Sequence, residues 1–209
     1  MRFLRTLDPL MFTDGEVAVP DHPDLNVVTN IGRSRPPRSV FHCDTSYVAR
    51  PPSFSALFAV EVPEQGGATL FMDQYAAFAS LQADLHRDLI GAKLLHGPRD
   101  VPETDAIWHP VVRRHPVTDC PALFLTALAR CQRLVLADGS DRTDLLPTLY
   151  EHSIHQQAPR RHLWRAGDVV IWDNRCTLHA ADYSDVFGNR TPYRGMVQGE
   201  VPEMARLAG

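Results

Sequence analysis

The stretch RSVFHCDTSY, residues 38–47, sets an imidazole and a carboxylate two positions apart, at His42 and Asp44. On an extended strand, residues i and i+2 project from one face, so these two side chains would converge within reach of one metal ion. Neutral imidazole with carboxylate suits a borderline divalent ion such as Fe(II). His-x-Asp pairs also arise by chance, and the same letters suit a polar turn with a hydrogen-bonded histidine. Much further along, GDVVIWDNRCTLHAA reads as a buried strand, a polar turn and then His179. Two histidines and one carboxylate cover one face of an octahedron and leave three positions open for substrate and O2. The chain has 10 histidines, so residue chemistry alone leaves both the ligand choice and a zinc alternative open. GNRTPYRG adds Arg190 and Arg194, which share a face if this stretch is a strand. Arginine is the residue suited to bidentate carboxylate recognition. A metal with open positions beside such an arginine suits an oxo-acid held at both ends. A pair of solvated arginines on an edge strand has the same letters.

The elements that must position these residues are mostly short strands. SALFAVEV (55–62) is apolar and β-rich, PEQGG is a turn, and ATLFM is the next strand. DQYAAFASLQADLHRDLIG (73–91) carries the clearest helical spacing, with Asp73 as cap and Gly91 as stop. HPVVRRHPVTDCPALFL predicts two strands joined by a turn at Thr118–Asp119. A second helix is predicted over 141–156, with Pro147 an obstacle in its interior. AGDVVIWDNR (166–175) reads as turn, buried strand, turn, and TPYRGMVQGEV (191–201) as a final strand. Proline pairs at 36–37 and 51–52 bracket the His-Cys-Asp stretch as a short element between rigid turns. Many short strands with two helices predict a β-sandwich or barrel with appended helices.

The bulk properties suit one globular domain over residues 1–209. Apolar residues make up 44% and charged residues 22%, and the net charge of -4 gives no basic footprint for nucleic acid and no polybasic hold on a membrane. No apolar run approaches the ~20 residues of a membrane-spanning helix, and the N-terminus has no signal-peptide pattern. Four cysteines, at 43, 120, 131 and 176, show no metal-knuckle spacing. Free thiols in the cytoplasm are the expectation. Cys43, between the two candidate ligands, is expected to point to the opposite face and pack there. Trp172 and Asn174 are expected to shape the turn before His179.

Taken together, His42-x-Asp44, the distant His179 and Arg190 resemble the Fe(II)/2-oxoglutarate-dependent dioxygenases of the taurine dioxygenase (TauD/TfdA) family. GGATLFMDQYAAF is similar to the family's Gly-Gly-x-Thr strand leading into a helix, with Thr69 at the spacing of its oxoglutarate-contacting threonine. HPVVRRHPVTDCPALFL and GDVVIWDNRCTLHAA match further blocks in the correct order, from about residue 20 to about 200. The resemblance implies a double-stranded β-helix (jelly-roll) core. It implies Fe(II) held by His42, Asp44 and His179, and 2-oxoglutarate with its far carboxylate at Arg190 and Thr69. Arg194 matches a second family arginine that contacts an anionic substrate or lies near the oxoglutarate, and Tyr47 stands where an aromatic residue lines the substrate pocket. The implied reaction takes a small anionic substrate and O2, hydroxylates an unactivated C–H bond and releases succinate and CO2. Asp44 disfavours halogenation, because halogenases of this type replace the carboxylate by a small residue. His42 comes early in the chain, so the resemblance implies an N-terminally shortened core, and a homo-oligomer would let a partner copy supply the missing wall. Residues 126–140 match the family poorly and leave the substrate unread. Two alternatives are a metal enzyme that does not use 2-oxoglutarate, for which Arg190 would have no work, and a non-catalytic relative that kept the fold.

Overall fold

The computed structural model describes residues 2–13, 16–32 and 40–206. Three strands, β1 (Leu10–Met11), β2 (Ala18–Val19) and β3 (His22–Val27), precede the His-Cys-Asp stretch. β4 (Phe54–Glu61) and β5 (Thr69–Asp73) are the two apolar strands expected on either side of the Gly-Gly turn. Both turn glycines have positive φ, and a Cβ on Gly66 would lie 2.7 Å from the Asp185 carbonyl oxygen. Only glycine satisfies both conditions there. The upstream proline pair, Pro36–Pro37, lies outside the described residues.

The helix expected over 73–91 is two helices, α1 (Gln74–Ala79) and α2 (Ala83–Asp88). Asp73 caps the first as expected, accepting from the backbone N–H groups of Tyr75 and Ala76. The break follows from a competed carbonyl. Ala77 accepts from the imidazole of His152 at 2.9 Å and from the Ser80 hydroxyl at 3.3 Å, and the Leu81 N–H turns instead to the Phe78 carbonyl. That leaves Leu81 buried and Gln82 extended.

Next come β6 (Lys93–His96), β7 (Ile107–Pro110), β8 (Val112–Arg114), β9 (Pro121–Leu123) and β10 (Cys131–Val135). β8 and β9 pair antiparallel around the expected turn, where Asp119 takes positive φ. The helix expected over 141–156 is α3 (Leu146–His155), preceded by a 3-10 turn at Thr143–Leu145. Pro147 therefore stands in the first turn, where its missing N–H costs nothing, rather than in the helix interior. The chain closes with β11 (Arg160–His162), β12 (Val169–Asp173), β13 (Thr177–Ala181), β14 (Thr191–Val197) and β15 (Glu203–Met204).

The architecture is mainly β with few helices, as the sequence predicts. The major sheet runs β12-β4-β14-β3-β2, with β1 also on β14, and a minor sheet runs β11-β5-β13. The two sheets meet through aromatic rings. Phe71 of β5 lies 5.4 Å from Trp172 of β12, and Trp172 lies 4.6 Å from the His179 imidazole on β13. Alternation along the strands aims Ser55, Leu57, Trp172, Arg194 and Met196 inward, while Leu4, Ala56 and Val197 pack on the outer face. A larger cluster of apolar residues fixes α1 and α3 against β6, β8, β9 and β10. No helix among the described residues is long and apolar enough to cross a membrane.

Replacing Asp73 by Ala removes the side-chain cap of α1 and is expected to lower the melting temperature by about 2–4 °C. Thermal unfolding followed by circular dichroism checks this, and an unchanged midpoint would show that α1 does not depend on its cap.

Candidate metal centre

His42 and Asp44 do converge, but not by the pleat of a strand. His42 forms a single antiparallel bridge with His179. The His42 N–H donates to the His179 carbonyl at 2.9 Å, and the His179 N–H returns a bond to His42 at 3.0 Å. The chain then leaves the sheet in a turn in which Thr45 takes positive φ. The turn, rather than i, i+2 alternation, swings the Asp44 carboxylate between the two imidazoles. His42 Nε2 lies 3.7 Å from Asp44 Oδ1, and His179 Nε2 lies 3.7 Å from Asp44 Oδ2. Ligand atoms of all three residues lie within 4.8 Å of one another. The His42 side chain is 38% exposed, whereas those of Asp44 and His179 are 3% and 9%. The cluster is thus walled by protein on the Asp44 and His179 sides and open at His42.

The protonation states suit a cation. The Nδ1–H of His42 donates to the Val40 carbonyl at 2.9 Å, which leaves the Nε2 lone pair facing Asp44. Burial and the neighbouring His42 push His179 down to about 3, against the attraction of Asp44, so its imidazole is neutral at working pH. Burial alone would raise the Asp44 carboxyl. His179, Arg194, His42 and the Ser55 hydroxyl outweigh it and hold the group well below the usual carboxylate range. Two imidazoles and one ionised carboxylate are the donor set of non-haem iron sites, and these residues fit such an ion.

The supports were only partly legible in the sequence. Ser55 donates to Asp44 Oδ2 at 2.7 Å. Its only sequence signal is a hydroxyl on the inward face of an apolar strand. Asn174 does more than shape a turn. Its Oδ1 accepts from the Asp44 N–H, and its Nδ2 donates to the carbonyls of Asp44 and Pro52. Cys43 faces away, as expected, and packs with Met72, Phe124 and Leu178. Burial keeps its thiol protonated.

Arg190 precedes β14 rather than lying in it, and the register shifts between Thr191 and Pro192. The expectation that Arg190 and Arg194 share a strand face therefore fails, and the two arginines have separate partners. Arg190 is 4% exposed; its Nε donates to the Gly67 carbonyl at 3.0 Å and its Nη2 to Thr69 Oγ1 at 3.3 Å. No carboxylate pairs with it among the described residues. Thr69 Oγ1 also accepts from the Trp164 indole at 3.0 Å, a contact with no sequence signal. Arg194 Nη1 donates to Asp44 Oδ1 at 3.1 Å and its Nη2 to Glu16 at 2.9 Å. Tyr47 stands beside Arg194 in its electrostatic surroundings, and the Arg130 guanidinium lies 4.8 Å over the Tyr47 ring. A surface groove lined by Tyr75, Phe78, His86 and Arg114 among others contains none of these residues.

Fold and cluster define a class: double-sheet β proteins that carry two histidines and a carboxylate between their sheets. A sequence model of the family described as "Taurine catabolism dioxygenase TauD, TfdA family" matches residues 1–196, and the chain belongs to that family. It is 33% identical over 192 residues to the alpha-ketoglutarate-dependent 2,4-dichlorophenoxyacetate dioxygenase of Cupriavidus pinatubonensis, a match covering 85% of this chain and 63% of that protein. It is 30% identical over 210 residues to the alpha-ketoglutarate-dependent sulfonate dioxygenase of Saccharomyces cerevisiae, covering 87% of this chain and 50% of that protein. The crystal structure of a taurine dioxygenase from Burkholderia xenovorans superposes with a TM-score of 0.79 at 27% identity, over 99% of this chain and 76% of that one. The chain spans about half to just under two thirds of the length of these curated relatives.

Replacing Ser55 by Ala frees one oxygen of Asp44 and is expected to weaken Fe(II) binding roughly 10–100-fold. Anaerobic metal titration measures this; an affinity equal to that of the unaltered protein would remove Asp44 from the ligand set.

Proposed function

We propose that this chain is a single-domain Fe(II)- and 2-oxoglutarate-dependent oxygenase that hydroxylates an unactivated C–H bond of a small anionic molecule. His42, Asp44 and His179 hold the iron, and Arg190 with Thr69 binds the far carboxylate of 2-oxoglutarate. The observation that carries this reading is the pairing of a ready donor set with a buried arginine that lacks a carboxylate. A guanidinium taken out of water without a counter-anion is costly. Burial lowers the Arg190 pKa, and the Tyr183 phenol only partly offsets it. A dicarboxylate bound at the iron by its keto-acid end supplies the missing anion at its other end.

Iron with bound 2-oxoglutarate supplies the oxidising power for C–H cleavage, with succinate and CO2 as products. The chain's own residues do the positioning. The Val40 carbonyl fixes the His42 tautomer, Ser55 helps hold the Asp44 carboxylate ionised, Asn174 clamps the Asp44 backbone, and Trp172 packs against the His179 ring. Trp164 orients the Thr69 hydroxyl that Arg190 shares. Arg194 and Tyr47 border the side where the substrate enters, and the acids and sulfonates in the names of the relatives support an anionic substrate there. Four free cysteines support a cytoplasmic setting.

Succinate formation from 2-oxoglutarate, Fe(II) and O2 is the direct test. Arg190→Ala is expected to raise the KM for 2-oxoglutarate on the order of 10²-fold, because it removes a buried charge-assisted contact. An unchanged KM in that variant would favour a metal enzyme that does not use 2-oxoglutarate.

A further inference from the structure

Among the inward-facing residues of the major sheet, Asn26 has no assigned task. It lies in β3 at 0% exposure, and neither its Oδ1 nor its Nδ2 has a hydrogen-bond partner among the described residues. Buried carboxamides are ordinarily satisfied, so one left empty on both sides calls for an explanation. Its position supplies one. Asn26 is the direct antiparallel partner of Arg194, and the register between β3 and β14 is unbroken there. Directly opposed residues of an antiparallel pair project from the same face, with Cβ atoms about 5 Å apart. The Arg194 side chain reaches inward to Asp44, so Asn26 shares the face that borders the metal centre.

Arg194 has its own vacancy. Nη1 is engaged by Asp44 and Nη2 by Glu16, but Nε is buried without a partner among the described residues. Glu16 therefore leaves one edge of the guanidinium open. On adjacent strands, three buried polar atoms stand unsatisfied: the donors Arg194 Nε–H and Asn26 Nδ2–H, and the acceptor Asn26 Oδ1.

We propose that Asn26 is a substrate-contacting, specificity-determining residue. Its Nδ2–H and the Arg194 Nε–H receive oxygens of one anionic head group, and its Oδ1 accepts from a donor that the substrate carries beside that group. The substrate class is then a small carboxylate or sulfonate with a neighbouring hydroxyl, amide N–H or ammonium. This rests on the oxygenase reading above. A site with a buried acceptor of this kind discriminates against the analogue lacking the donor, because that analogue leaves Oδ1 unpaired.

Two measurements test it on the full chain. The first needs no substrate. Asn26→Leu fills the position without an unsatisfied amide, and the ligand-free protein is expected to melt about 2–4 °C higher. A lower melting temperature would mean that the carboxamide is satisfied within the fold or by a structural water, and would overturn the proposal. The second compares small carboxylates and sulfonates with and without an adjacent hydroxyl or amino group. Each is scored by the ratio of 2-oxoglutarate consumption with and without the compound in the same protein. The unaltered protein is expected to favour donor-bearing members by at least about tenfold, and Asn26→Leu to lose that preference. Asn26→Asp, which replaces the Nδ2 donor by negative charge, is expected to lose stimulation by every anionic member. The same preference in Asn26→Leu, or no stimulation of the unaltered protein by any donor-bearing acid, overturns the proposal. An unaltered protein that forms no succinate even without added compound defeats the oxygenase reading instead, and the melting comparison still decides the role of Asn26.

Discussion

The site depends on one buried carboxylate. Asp44 lies between two sheets, almost out of water, and an ion in such a place is sustained only by partners on every side. Those partners come from four separate parts of the chain: Ser55 from β4, Arg194 from β14, His42 ahead of the turn and His179 from β13, while Asn174 from the turn after β12 clamps the Asp44 backbone. Ser55, Arg194 and the two imidazoles are placed so that they reach this oxygen pair. The inward alternation of the major sheet, the aromatic contact between sheets and the backbone bridge from His42 to His179 all serve the same point. A metal cation would add the strongest partner of all, so the protein is arranged to favour occupancy electrostatically before any ligand geometry is considered.

The same logic separates what could be read in the sequence from what could not. Residue types with few alternative uses were legible: the two histidines and the aspartate, the arginine before the last long strand, the paired glycines that only a positive-φ turn explains. The roles of Ser55, Asn174, Trp164, Glu16 and Asn26 were not, because serine, asparagine, tryptophan and glutamate have many ordinary duties in a fold. What gives them meaning is a partner far away in the chain, such as Thr69 for Trp164 or Arg194 for Glu16. Local pattern also misread two backbones. Helical spacing continues through Ser80–Gln82, yet His152 from another helix takes the carbonyl that continuity needs. Extended spacing suits the His-Cys-Asp stretch, yet a turn at Thr45 is what brings its side chains together.

Arg190 and Arg194 show how a small irregularity divides labour. Four residues apart, they would point the same way on a regular strand. The register shift at Thr191 and Pro192 detaches them, so one reaches under the Gly-Gly turn to Thr69 while the other faces Asp44. Proline is compatible with this position because a bulge removes the ladder bond its nitrogen cannot make. Two cations of the same type thereby serve two different neighbourhoods, a carbonyl and a hydroxyl for Arg190 and two carboxylates for Arg194, without competing for either.

The strand that carries Arg194 has a consequence for how the molecule is built. β14 is sequentially among the last strands, yet it lies in the sheet between β4 and β3, which are among the first. During synthesis on a ribosome those two earlier strands emerge with no bond between them, each presenting an open edge where β14 belongs. The gap closes only when the chain through Val197 has left the exit tunnel, and both arginines arrive with the closing strand. A nascent chain stalled before Thr191 exposes two adhesive strand edges for a chaperone or a protease to find.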